Sequence, residues 1–431
     1  VMWVGWVVGC VTAVALFVRL YYTRKSSPVQ RKHAESAARL SMIGSANKGK
    51  RTCLVTGASG FVGGHVIKAL VGAFDSPSCI LCSRYERVVA VDIRPPPPGL
   101  PSGDVGGVEV EWAVADIRDS NELELLLADV ECVLHIASVV DTRSGPVQKE
   151  FLESVNVMGA LTLLMTCDRL GVRRFVYTSS VASLIDDALV KEADEIALGR
   201  NGGEGKEWGE EKFTATVSNP LSPIAAYGDT KHRAELAILT WHAMHRKEGK
   251  KHTQVIALRP HLLYGERDAY FTEQVVLSTP AAPCTNGGSN RMVVCYGPNL
   301  AGYHIQADIA LEKDSSLDGR VFFVGDELVP VRELYERLVT CRPSGPCSVS
   351  SVSASLLFPL AIFSEMLDWL TAGRKNWPLL QLNRNALRYA VGEYPFRLDA
   401  ARQQIGTVPL FPSKKDIDER IRQHYSSRAS P

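Results

Sequence analysis

Between Thr52 and Pro260 short apolar runs alternate with stretches of helical period. "TCLVTG" precedes Val62, Val66, Ile67 and Leu70, spaced for one face of a helix. Then come "RVVAVDIR", "VEVEWAVADIRD", a short helix in "NELELLLAD", "ECVLHIAS", a long helical stretch ending near Leu170, "RFVYTSS", the helix "YGDTKHRAELAILTWHAMH" and "TQVIALRP". This alternation predicts an α/β fold with a parallel, doubly wound sheet. The strands are Val- and Ile-rich throughout, as strands covered on both faces should be. Past Pro260 the pattern loosens, but "RVFFVGD" (about 320–326) predicts a late strand and "PVRELYERLV" a helix opening at a proline. Three stretches interrupt the series: "SPSCILCSRYER", the loop "PPPPGLPSGDVGG", which is expected to hold no regular structure, and a charged, Gly-rich insertion over 186–213.

The chain opens on an apolar run of 18 residues ending before Arg19, about the length of a membrane-spanning helix. No charged region precedes it, whereas Arg19, Arg24, Lys25, Arg31 and Lys32 follow, so the positive-inside rule leaves the remainder in the cytosol. Trp3 and Trp6 suit such an anchor. The segment after it, including Glu35, is polar and basic and reads as a tether. A second apolar stretch, "LLFPLAIF" at 356–363, is too short to span. It reads as a buried or half-buried helix, with a helix lying in the membrane interface beside Trp369 and Trp377 as the alternative.

A net charge of +1 gives no electrostatic footprint for nucleic acid. Ten cysteines are scattered without a paired framework and are expected as reduced thiols. Cys79 and Cys82 have the shape of half a zinc site with no second pair, so no metal site is expected. His242 and His245, spaced i, i+3 without nearby carboxylate ligands, read as partly exposed helix residues.

Chemistry concentrates in two places. Gly57, Gly60 and Gly63, with Phe61 and Val62 between them, lie in the turn from a strand to a helix at the head of the series. There backbone N–H groups and the positive helix end can hold a pyrophosphate. Asp92 ends the next strand, where a carboxylate bonds ribose hydroxyls and repels a 2′-phosphate. The separation exceeds the usual ~20 residues because of the inserted "SPSCILCSRYER". Arg94 offers a partial counterweight, yet NAD is favoured over NADP. Downstream, Tyr227 and Lys231 stand four apart on one helix face, where an ammonium beside a phenol would lower its pKa and make a base for an alcohol proton. Ser180, in "YTSS", would bond the substrate oxygen; Ser179 is the fallback.

The segments "TGASGFVGGH", "DIR", "ADIRD", "VLHIAS", "NVMGALTLL", "GVRRFVYTSS", "YGDTKHRAE" and "LRPHLLYGERD" come in family order. With them the chain resembles an extended short-chain dehydrogenase/reductase of the 3β-hydroxysteroid dehydrogenase family, and within it the sterol-4α-carboxylate 3-dehydrogenases (decarboxylating). "VFFVGDELVPVRELYERL" and "NRNALRYAVGEYPFRLDAARQQIG" resemble the family's C-terminal part. The resemblance implies a Rossmann domain with Tyr227 as base, Lys231 as its partner and nicotinamide-ribose ligand, and Ser180 as the catalytic serine. It also implies that Asp116 and Ile117 flank the adenine, Ala137 lines the cofactor, Asn156 stands near the nicotinamide and Pro260 makes a backbone contact. "GPNLAGYHIQADIAL" keeps Asn299 and His304 of a family pattern but loses its acid.

The expected organisation is a membrane anchor over 1–22, a basic tether over 23–50, an NAD-binding domain over 51–265 and a substrate-binding part over 266–431. The expected activity is oxidation of a 3β-hydroxyl on a sterol, with loss of carbon dioxide from a 4α-carboxylate, at the endoplasmic reticulum. The partners implied are a sterol and a membrane, with a homodimer as a further candidate. Alternatives are an NADPH-dependent reductase of phenolic or aldehyde substrates, a nucleotide-sugar epimerase or dehydratase, and a non-catalytic cofactor-binding scaffold.

Overall fold

The computed structural model describes residues 30–74, 84–141, 143, 146–184, 226–247, 252–276, 281–371 and 382–429. The anchor at 1–22, Trp3, Trp6, the Cys79–Cys82 pair, the insertion over 186–213 and Trp377 lie outside them. Among the described residues no helix is long and apolar enough to cross a membrane, and the described cysteines are free thiols.

The apolar runs become strands β1 (Thr52–Thr56), β2 (Arg87–Asp92), β3 (Gly103–Val105), β4 (Val108–Val114), β5 (Cys132–His135), β6 (Arg174–Thr178) and β7 (Gln254–Pro260). Beyond them β8 (Leu262–Tyr264), β9 (Ala282–Thr285) and β10 (Arg291–Tyr296) lead to β11 (Arg320–Val324), β12 (Glu327–Pro330) and β13 (Val349–Val352). The main sheet has the order β11-β7-β6-β5-β1-β2-β4-β3. Every pairing in it is parallel except that of β3 with β4. The late strand thus closes the β7 edge of the Rossmann sheet. β3 is a correction: "GDV", at the end of the proline-rich loop expected to be irregular, folds back on β4. Gly103 and Gly106 supply the positive φ of +75° and +61° that the reversal uses.

Helices α1 (Gln30–Ser45), α2 (Phe61–Leu70), α3 (Ser120–Leu126), α4 (Pro146–Leu152), α5 (Ala160–Leu170) and α6 (Ala226–Lys247) belong to the first part of the chain. In the second part are α7 (Thr272–Val276), α8 (Gly297–Lys313), α9 (Val331–Val339), α10 (Ala354–Leu370), α11 (Arg384–Val391) and α12 (Lys414–Ala429). Two apolar clusters cover the sheet: α2, α8 and α12 contribute to one, and α1, α3, α5 and α6 to the other.

α1 replaces the expected tether from residue 30 onward. Leu40 and Ile43 are buried in the second cluster, and Gly44 packs so tightly that a Cβ would overlap the carbonyl of Leu125. Asn47 then fastens the helix end. Its Nδ2 donates to the carbonyls of Leu126 and Ala128 (3.1 and 2.9 Å), and its Oδ1 accepts from the fully buried Arg87 (3.1 Å). A docking made from two apolar residues, a glycine and an asparagine leaves little hydrophobic periodicity to read.

α10 corrects a second expectation. Its inward seam is small or polar (Ala361, Ser364, Asp368), while its large apolar residues face out, with Leu356 77% and Trp369 71% exposed. The helix is inverted relative to a core-packed one: one face packs, but the apolar stretch expected to be buried or half-buried is the exposed one.

Candidate active site

The C-terminal ends of β1, β2, β5, β6 and β7 share one edge of the sheet. The strand order reverses between β1 and β5, which is where open α/β sheets bind ligands. At this switch point Gly57 turns with φ +68°, and a Cβ on it would come within 2.8 Å of the Ala137 backbone after β5. A Cβ on Gly63 would overlap the Gly57 carbonyl. Gly60, the N-cap of α2, would place one 3.1 Å from the same oxygen with no other neighbour. Two of the three glycines therefore hold the loop against itself, and Gly60 keeps its outer side open to a ligand.

Asp92 is buried at the tip of β2, its oxygens accepting from Ser59 N (3.1 Å) and Arg94 N (3.0 Å). Its carboxylate is thereby oriented at the loop, while the Arg94 side chain is mostly exposed. A Gly-lined turn into a helix and a fixed carboxylate one strand away together fit a dinucleotide. Phe61 and Val62 open α2, and Pro260 ends β7. Ile117 is buried against Gly159, whereas Asp116 is half-exposed and pairs with Arg118 at 2.6 Å.

The reactive set gathers at the start of α6. The Tyr227 phenol is pushed up to about 12 by burial, opposed by the neighbouring hydroxyls of Ser180 and Ser138, which favour its ionised form. Ser180 Oγ also accepts from Ala182 N at 3.1 Å. Ser179, the fallback, donates its backbone N–H to Leu258 O (2.8 Å), and its buried Oγ has no hydrogen-bond partner among the described residues.

Lys231 behaves otherwise than its spacing suggests. Its Nζ donates to Thr178 O at 2.8 Å and stands 5.2 Å from the Tyr177 ring centroid, and burial pulls it down to about 7. The groups that favour the Tyr227 phenolate are therefore the two serines. Thr178 in turn donates to His304 Nε2 at 2.6 Å, while His304 Nδ1 donates to Leu300 O. Asn299 bonds the backbone of Phe411 in both directions. These two retained residues brace the fold behind the site.

Asn156 sits in a π-helical turn, Glu153–Gly159, between α4 and α5; such turns recur at functional sites. Its Oδ1 accepts from Val139 N (2.8 Å) and Ser138 Oγ (3.2 Å), and its Nδ2 donates to Val139 O (2.9 Å) and Thr230 Oγ1 (3.1 Å). The asparagine ties the loop after β5 to the catalytic helix.

Sequence reasoning missed Ser138 and Thr230, although the first closes "VLHIAS" and the second lies one turn from Tyr227. It also missed Arg267 (φ +73°), whose guanidinium donates to Ser59 O at 3.1 Å and brings a positive charge to the glycine loop. From the C-terminal part α11 brings Tyr389 to the end of β7. Tyr389 packs 5.4 Å from buried His261, which follows Pro260. α10 holds α11 through Glu365, which accepts from Arg384 N and Nε (2.8 and 2.7 Å), and its Asp368 lies 3.9 Å from Arg143 in the loop after β5.

The fold recurs among solved structures. The dTDP-glucose 4,6-dehydratase DesIV from Streptomyces venezuelae, with NAD and TYD bound, aligns with a TM-score of 0.55 at 20% identity, covering 87% of this chain and 97% of that one. The UDP-glucose 4-epimerase of Thermotoga maritima, with UDP-glucose, aligns with a TM-score of 0.53 at 18% identity, covering 88% and 99%. In sequence, short-chain dehydrogenase/reductase family 42E member 1 of Mus musculus is 25% identical over 88% of this chain and 90% of its own length. The 3beta-hydroxysteroid-dehydrogenase/decarboxylase isoform 2 of Arabidopsis thaliana is 23% identical over 88% of this chain and 63% of its own. A profile of the 3-beta hydroxysteroid dehydrogenase/isomerase family matches residues 54–341. The chain therefore belongs to that family, within the NAD(P)-dependent short-chain dehydrogenase/reductases.

Proposed function

We propose that this protein oxidises the 3β-hydroxyl of a sterol with NAD and that a 4α-carboxysterol is its substrate. The observation that carries the reading is the gathering of Tyr227, Ser180 and Ser138 at the sheet edge that holds the glycine loop and the buried Asp92. Gly57, Gly60 and Gly63 would hold the pyrophosphate, with Arg267 beside it, and Asp92 the adenosine ribose. When bound, NAD supplies a hydride acceptor. Tyr227 takes the hydroxyl proton as the C–H bond breaks, and Ser180 and Ser138 steady the oxygen as it gains charge. Loss of that proton and of a hydride leaves a ketone. With a carboxylate on the adjacent carbon the product is a β-keto acid, whose C–C electrons flow into the ketone as carbon dioxide leaves.

The inverted face of α10, next to the helix that carries Tyr389, supports a lipophilic substrate drawn from a bilayer. With the basic residues after the initial apolar run, it favours a protein held at the endoplasmic reticulum membrane with its catalytic part in the cytosol.

Turnover of a 3β-hydroxysterol-4α-carboxylate by the full chain in mixed micelles, compared with NAD and NADP, tests this. The expected result is NAD reduction with stoichiometric carbon dioxide, with kcat falling ~10²–10⁴-fold in Tyr227→Phe. Cofactor binding without turnover of the sterol would discard the substrate assignment, and turnover only with NADPH and a carbonyl substrate would favour the reductase reading.

A further inference from the structure

At the opposite end of the sheet from the reactive set lies a cluster that the proposed reaction does not use. His242 comes from the last third of α6, His252 from the segment entering β7, and Asp318 from the turn entering β11. Their ligand atoms all lie within 4.8 Å of one another. His242 Nε2 is 2.8 Å from Asp318 Oδ1, and His252 Nε2 is 3.0 Å from Asp318 Oδ2. His242 and Asp318 are only 4% and 8% exposed, so this is not a solvated surface pair.

Two details separate the cluster from an ordinary His–Asp network. His242 Nε2 is fully buried and faces Asp318 Oδ1 at 2.8 Å, without a well-aligned hydrogen bond to any described residue. Its ring nitrogen is thus aimed into the cluster, at the Asp318 carboxylate. Second, the donors are already oriented from outside. Asp318 Oδ1 accepts Val255 N at 2.8 Å, and Gly319, with φ +80°, sits so close that a Cβ would lie 2.8 Å from His242 Cε1. Such outer support characterises metal ligands.

We propose that His242, His252 and Asp318 bind a divalent transition-metal ion, with Zn²⁺ as the best match to two imidazole nitrogens and one carboxylate oxygen. His252 also lines a cleft of about 510 Å³, which gives the ion and a water as fourth ligand a path inward. The site stands about 22 Å along α6 from Tyr227, fifteen residues at ~1.5 Å each. Its role is to clasp α6 to the starts of β7 and β11.

The test uses the full chain after chelator treatment. Calorimetric titration with Zn²⁺ should show one saturable equivalent, and Co²⁺ should give visible d–d bands without thiolate charge transfer. Zn²⁺ should raise Tm by several degrees because it binds only the folded form. His252→Ala, which alters a half-buried residue outside regular structure, should weaken Zn²⁺ binding at least ~10-fold and abolish the Tm response. His242→Gln should do the same. Absence of saturable binding, binding unaltered in both variants, or a Co²⁺ spectrum of thiolate ligation would each overturn the assignment.

Discussion

Lys231 shows how far a residue's setting departs from its type. An ordinary lysine near 10.5 is drawn down to about 7 by burial. Between those values the unfolded chain carries a proton that the folded chain does not, so this residue makes stability rise with pH across the window. Urea midpoints should therefore climb from pH 7 to pH 9, and the climb should shrink in Lys231→Met, which also loses turnover. The glycines divide by the same kind of detail. Gly63→Ala must displace the Gly57 carbonyl and should cost about 1–3 kcal/mol in denaturant unfolding, as overpacking does. Gly60→Ala meets only one atom at 3.1 Å, so it should leave Tm near wild type while weakening cofactor binding in a fluorescence titration. The sequence supplied the glycine triplet, Ser180 and Tyr227 because their spacing is local. Ser138, Arg267 and the His242–His252–Asp318 cluster escaped because their partners come from distant segments and the sheet alone brings them together.

At the scale of elements, legibility followed the hydrophobic pattern. β1, β2, β4, β5, β6, β7 and β11 were readable because doubly covered strands concentrate Val, Ile and Phe. β3 was not, being three residues held by glycine turns, and neither was α1, whose docking depends on Gly44 and Asn47. α10 misled because composition does not say which face packs, and here Ala361, Ser364 and Asp368 pack while the apolar residues do not. If that face meets lipid, Leu356→Lys combined with Trp369→Lys should reduce co-sedimentation of the chain from residue 30 onward with phospholipid vesicles, and leave its circular dichroism and Tm unchanged. Unchanged vesicle binding would assign the face to something other than a bilayer.

For the whole molecule, the helix α1 and Asn47 belong to the folded domain rather than to a tether ahead of it. A chain beginning at residue 30 should keep the Tm of the full chain in detergent. One beginning at residue 51 should lose several degrees, because Arg87 forfeits Asn47 and the apolar cluster around Leu126 is uncovered.

The position of β11 carries a consequence for biosynthesis. The strand that seals β7 lies some sixty residues further along the chain, beyond β8, β9, β10 and α8. At roughly 5–20 residues per second, the ribosome exposes β7 for several seconds before its neighbour emerges. For that interval the nascent Rossmann sheet ends in a strand whose middle, Val255 to Leu258, is apolar, with an open hydrogen-bonding edge, the kind of edge that pairs with other chains. Synthesis of residues 260 to 324 is therefore an interval in which the nascent sheet is exposed to aggregation.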